Sequence, residues 1–287
     1  MKLEGRKRSS NVEDRRGLSG GAKLGLGGGI GGIIIAVVMA IMSGGDVSQV
    51  IGNVVNAVQQ SKVEKVNPKE FSEEEQKLAE ECEIILGSTE EVWTKVFKDN
   101  GWGEYRLPTM VLFTNSVQSA CGSATSSVGP FYCRGDEKLY IDLSFFTEMK
   151  RQLGVEGNTF AYAYVIAHEI GHHVEYLRGI LTHDWSRLGE TDNQISVRTE
   201  LLADYYAGVW AHYEDKKYHS LEDGDIERAI ELAQKIGDDW LQKQAQGRAV
   251  EESFTHGTSK QRMYWLKKGL DTGDMRTTTF NVPYRDL

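Results

Sequence analysis

Residues 159–178, TFAYAYVIAHEIGHHVEYLR, decide how the rest of the chain is read. Phe160, Tyr164, Ala167, Val174 and Leu177 recur at helical spacing and mark a helix that enters a core. Into that helix the sequence inserts His168, Glu169 and His172, although a buried polar group without a partner costs about 1–3 kcal/mol. Two histidines four residues apart stand one turn apart on one helical face, so both imidazoles can reach a single ion. Glu169 between them can lean over a water that the ion activates, as general base. The H-E-x-x-H spacing is thus a geometric requirement of a zinc site. His173 points about 100° away from His172 on an ideal helix and reads as an exposed or supporting histidine.

A catalytic zinc takes three protein ligands and leaves a position for water. A metzincin would carry glycine and histidine at positions 175 and 178, where this chain has Glu175 and Arg178. Downstream, residues 196–213, SVRTELLADYYAGVWAHY, present Glu200 and Asp204 one turn apart. That spacing suits Glu200 as third ligand and Asp204 as the acceptor that fixes the tautomer of a ligand histidine. Asp204 itself, or His183 in the intervening loop, stands as the alternative third ligand. Ala203, Ala207 and Gly208 are small, as two closely approaching helices require. His256, in ESFTHGTSKQR, precedes Gly257 and the helix-capping residue Thr258. A rigidly held histidine there is a candidate donor to negative charge developing on a carbonyl oxygen, with Tyr205 and Tyr206 as the other donors to consider. A purely structural histidine at a helix entrance accounts for the same residue.

Around this centre the chain reads as α+β, with one catalytic domain over 73–287. Helices are expected at Glu73–Leu86 and from Ser88, with Glu91 completing a capping box, to near Gly101. TMVLFT, PFYC and KLYIDLSFF are rich in β-branched and aromatic residues and predict a small antiparallel sheet. Helical periodicity returns over 159–178, 194–216, 225–245 and 258–270. PFYC and KLYIDL are candidate edge strands for a peptide to extend. Cys121 and Cys133 bracket CGSATSSVGPFYC, and a disulfide would close that loop in an oxidising compartment. Cys82 reads as a small core residue.

The formal charge of -9 is unevenly spread: residues 1–23 hold a local excess of positive charge, which leaves the remainder more acidic still. Such a folded part would repel phosphate, which excludes a nucleic-acid partner. Residues 24–42 are uncharged, glycine-rich, and would span roughly 29 Å as a helix, enough for a bilayer core. The expected organisation is a basic cytoplasmic segment (1–23), a transmembrane anchor (24–42), a linker (43–72) and the catalytic domain. With basic residues on its N-terminal side, this is a single-pass protein of the inner membrane, its domain periplasmic or extracellular. A cleaved signal peptide and a flexible glycine-rich arm are the competing readings. The overlapping G-x-x-x-G spacings from Gly25 to Gly32 would let two such helices pack into a homo-oligomer.

CGSATSSVGPFYC, DEKLYIDLSFF, HEIGHHVEYLRG, SVRTELLADYYAGVW and ESFTHGTSKQRMYWLKKG together resemble the neutral zinc metallopeptidase family of bacterial envelopes. Its members begin with a basic segment and a glycine-rich span. The likeness covers nearly the whole chain, from MKLEGRKRSSNVEDRRG onward; Arg134 departs from it, standing where proline is expected. The resemblance implies a zincin-like fold, one Zn2+ ion and hydrolysis of a peptide or protein substrate. A zinc amidase acting on cell-wall peptides would share every residue named, and a tethered assembly protein with a structural zinc would lack only the need for Glu169.

Overall fold

The computed structural model describes residues 1–16, 71–125, 128–153 and 159–287. The stretch 24–42 expected as an anchor lies outside those residues, as does nearly all of the linker. Among the described residues no helix is long and apolar enough to cross a membrane. The architecture is α+β and mostly helical, and the chain forms two compact units. One comprises Met1–Asn11, Glu81–Pro108 and Val155–Leu287; the other comprises Val12–Glu80 and Thr109–Gly154.

The first unit is helical. Helix α1 (Glu73–Asn100) contributes its later turns, followed by α3 (Thr159–Leu177), α4 (Asp192–Tyr218), α5 (Asp225–Lys235), α6 (Asp238–Gln246) and α7 (Ser259–Thr272). Helix α3 is buried on nearly every face, which its apolar sequence anticipates. Trp93, Trp210, Trp265, Tyr205 and Tyr206 fill the surrounding core, with Trp93 set edge-on to Tyr206 at 5.5 Å. Glycine sets the helix spacing. A Cβ at Gly171 would lie 2.9 Å from Ala203, so α3 and α4 touch at that pair. Gly208, read as part of the same contact, instead meets α7, where Gly269 answers it: either Cβ would fall 2.1 Å from a backbone oxygen of the other helix.

Two helix expectations need correction. The break at Ser88 does not occur: α1 runs unbroken, and Ser88 is buried, donating to Glu214 at 2.5 Å and accepting from the Trp210 indole at 2.9 Å. A tertiary partner thus takes the hydroxyl that a capping box would have used. The segment 225–245 is two helices, broken at Gly237, where a Cβ would lie 2.3 Å from the Ser259 nitrogen. Thr258 does cap α7, its side chain accepting from Gln261 N in a full capping box.

The second unit carries β1 (Val12–Asp14), β2 (Thr109–Phe113), β5 (Phe131–Cys133) and β6 (Lys138–Asp142) in the order β1-β2-β6-β5. The expected antiparallel sheet is corrected here: β1 with β2 and β2 with β6 are parallel, and β5 alone is antiparallel to β6. The chain between β2 and β6 is long enough for a crossover, and it carries a separate hairpin, β3 (Ser116–Ser119) with β4 (Gly122–Thr125). KLYIDL is therefore an interior strand rather than an edge, while Phe131–Cys133 does lie at an edge. Ser144 starts helix α2 (Ser144–Leu153), because Asp142 accepts from its backbone N–H and ends the strand. Val111, Phe113, Cys133 and Tyr140 form the apolar centre, with Phe131 stacked on Tyr140 at 4.8 Å. Cys121 and Cys133 are joined as a disulfide, and Cys82 is fully buried in α1.

The opening residues do not stand apart as a basic segment. Lys2, Arg6, Ser9 and Asn11 are bonded into the helical unit, and Val12–Asp14 form a sheet strand. Their charge masked this: the basic side chains meet carboxylates of the fold.

Candidate active site

Helices α3 and α4 bring His168, His172 and Glu200 together, one donor atom from each lying within 4.8 Å of the others. The His168 Nε2 stands 3.1 Å from Glu200 Oε2, and the His172 Nε2 stands 3.5 Å from Glu200 Oε1. Donors around a tetrahedral zinc with bonds of about 2.0–2.1 Å are separated by about 3.3 Å, so this spacing fits that ion. Among the described residues this is the one such cluster.

The opposite ring nitrogens are also held. His168 Nδ1 donates to Asp204 at 2.8 Å and His172 Nδ1 donates to Glu175 at 2.9 Å, which leaves both Nε2 lone pairs for a cation. Asp204 further accepts from the Tyr164 hydroxyl at 2.6 Å and from Arg262 at 2.8 and 3.0 Å. Glu175 has its other oxygen buried with no partner among the described residues. The donors keep some exposure, 18% for Glu200 and 13% for His172, while both supporting carboxylates keep none. The donors thus remain partly open to solvent, while the carboxylates behind them are closed to it.

Burial alone would raise Asp204, but the Arg262 guanidinium and His168 hold its carboxyl at about 2. Burial prevails at Glu175, whose carboxyl is pushed up to about 7 despite His172. Desolvation disfavours the charged histidines, yet Asp204 and Glu200 bring His168 to about 9, and Glu200 with Glu175 holds His172 well above its ordinary value. Glu200 itself lies well below the usual range, against desolvation, because His172 and His256 face it. A cluster of this kind binds a cation by releasing protons.

Glu169 follows His168 on α3 and is nearly buried, at 9% exposure. His256 is half exposed, its Nδ1 3.2 Å from Asp238, whose other oxygen accepts from the backbone N–H of Thr255, His256 and Gly257. Desolvation lowers this imidazole, but Glu200 and Asp238 outweigh it and raise its pKa. Those three bonds tie the loop to Asp238, and its histidine lies within electrostatic reach of Glu200. The other residues considered are engaged elsewhere. His183 packs on Trp185 at 4.2 Å, Tyr205 donates to the Asp274 carbonyl, and Tyr206 accepts from Arg178. His173, read as exposed or supporting, is buried and donates to the Arg106 carbonyl at 2.7 Å. Sequence reasoning missed Glu175 and Arg262 as supports. The spacing of Glu175, three residues after His172 on one helix face, could have revealed the first; nothing local marks the second.

The family described as "Putative neutral zinc metallopeptidase" matches residues 1–280. The chain belongs to that family. An uncharacterised Escherichia coli K12 protein, YpfJ, is 42% identical over 285 residues, 96% of each chain. An uncharacterised Mycobacterium tuberculosis H37Rv protein, Rv2575, is 41% identical over 206 residues, 68% of each chain. No solved structure matches. Membership in this zinc metallopeptidase family agrees with a donor set of two imidazoles and one carboxylate.

Proposed function

We propose that the protein is a zinc-dependent peptidase whose ion is held by His168, His172 and Glu200. The observation that carries this reading is the paired arrangement of the histidines: Nε2 toward Glu200, Nδ1 tied to Asp204 and Glu175. Bound zinc would supply a Lewis acid that polarises a peptide carbonyl and acidifies water. Asp204 and Glu175 keep each imidazole in the tautomer that presents Nε2. Glu169 accepts the proton of the attacking water and delivers it to the leaving amine. His256, whose pKa Glu200 and Asp238 raise against desolvation, donates to the carbonyl oxygen as negative charge builds there. A structural zinc would have no use for Glu169 or His256 beside its ligands.

Metal analysis of the purified full chain, with digestion of an unfolded protein in the presence and absence of chelator, tests the reading. We expect one zinc per chain and chelator-sensitive cleavage; Glu200→Ala should lose the ion, and retention at full stoichiometry would reassign the third ligand. His256→Ala in zinc-loaded protein should lower kcat by about 10² with little change in KM. Unchanged turnover would return His256 to a structural role.

A further inference from the structure

We propose that residues 1–16 lie on the same side of any membrane as the candidate metal centre, so that the apolar stretch 24–42 does not separate them. The contacts that carry this are specific and partly buried. In the helical unit, Arg6 makes two bonds, at 2.5 and 3.1 Å, to Glu214, a carboxylate with no solvent exposure, and its guanidinium lies 3.5 Å over the Tyr218 ring. Lys2 N donates to Ser220 O, and Ser9 N donates to Glu83 O at 3.0 Å. Ser9 and Asn11 side chains both donate to Glu90 at 2.7 Å. Gly87, in the middle of α1, is explained by the same segment: a Cβ there would lie 2.8 Å from the Lys7 carbonyl oxygen. A chain whose first residues stayed across a membrane would leave Glu214 buried without its cation and Gly87 without a reason.

The second unit leads independently to the same conclusion. Val12–Asp14 pair with β2 in register, and Arg15 N donates to Leu112 O at 2.7 Å. Arg16 is buried; its guanidinium lies 4.2 Å over the Phe71 ring, beside Glu75 and Gln76. Arg16 and Phe71 flank residues 17–70, so whatever path those residues take begins and ends in one compartment. The excess of basic residues near the start therefore cannot orient a single span with the domain beyond it. Any attachment to lipid through 24–42 is made from the side on which the metal centre lies.

The test uses the full chain in its own cells, with Ser10→Cys and Asp223→Cys introduced separately at exposed positions and probed with a membrane-impermeant maleimide before and after lysis. The two positions should react alike, both in intact cells or both only after lysis. Labelling of one in intact cells and of the other only after lysis would overturn the proposal. Arg6→Ala supplies a second readout in the purified protein. Loss of the buried pair should lower the melting temperature by about 5 °C or more, and an unchanged melt would overturn the docking on which the argument rests.

Discussion

Asp204 and Glu175 sit behind the two histidines in the same way, each buried and each accepting from an Nδ1, yet they are opposite in character. Asp204 has a guanidinium and a phenol as further donors and stays ionised to about pH 2; Glu175 has an imidazole alone, and its carboxyl rises to about 7. Burial is common to both, so the counter-charge makes the difference. One histidine is backed by a fixed anion and the other by a group that can store a proton.

The sharpest way to break this contrast is to remove the counter-charge. Arg262→Met should destabilise the fold by about 3–5 kcal/mol, because Asp204 would be left charged, buried and short of donors. Denaturant unfolding measures it, and a loss under 1 kcal/mol would mean that Arg262 is not what holds Asp204 ionised. A smaller effect is expected on the other side. Glu175→Gln keeps an acceptor for His172 Nδ1 but loses the charge, so zinc affinity should fall only about 10-fold, as is usual for such supporting groups; competition with a chelator gives the value.

The two carboxylates also differ in the sign of their pH dependence. Asp204 is depressed from 3.8 to about 2, so its contribution to stability is present above pH 3.8 and lost as pH falls toward 2. Glu175 is raised from 4.5 to about 7, so the native chain binds more protons than the unfolded chain across that window, and stability falls as pH rises through it. In metal-free protein, Glu175→Gln should flatten the decline between pH 4.5 and 6.5 and leave the acid limb unchanged. An unaltered decline would show that Glu175 does not store the proton.

The cluster of possible donors was legible because it obeys helix geometry. His168 and His172 at four-residue spacing, and Glu200 with Asp204 at the same spacing, state their own positions. The cap at Thr258 and the Cys121–Cys133 pair were equally local. What could not be read depended on partners distant in sequence. Arg262 reaches Asp204 from α7, Ser88 gives up its capping role to Glu214 and Trp210, and the direction of β6 is set by a crossover that short strands do not encode. Residues 1–16 read as part of a basic cytoplasmic segment because the carboxylates they meet, Glu214 and Glu90, lie far along the chain.

The most direct test of the account is the zinc content and peptide turnover of Glu169→Gln, measured on one sample. The account predicts zinc near one per chain, as in the wild type, with turnover lower by at least about 10², since the donors remain and only the proton acceptor is gone. Wild-type turnover in the zinc-loaded variant would contradict it.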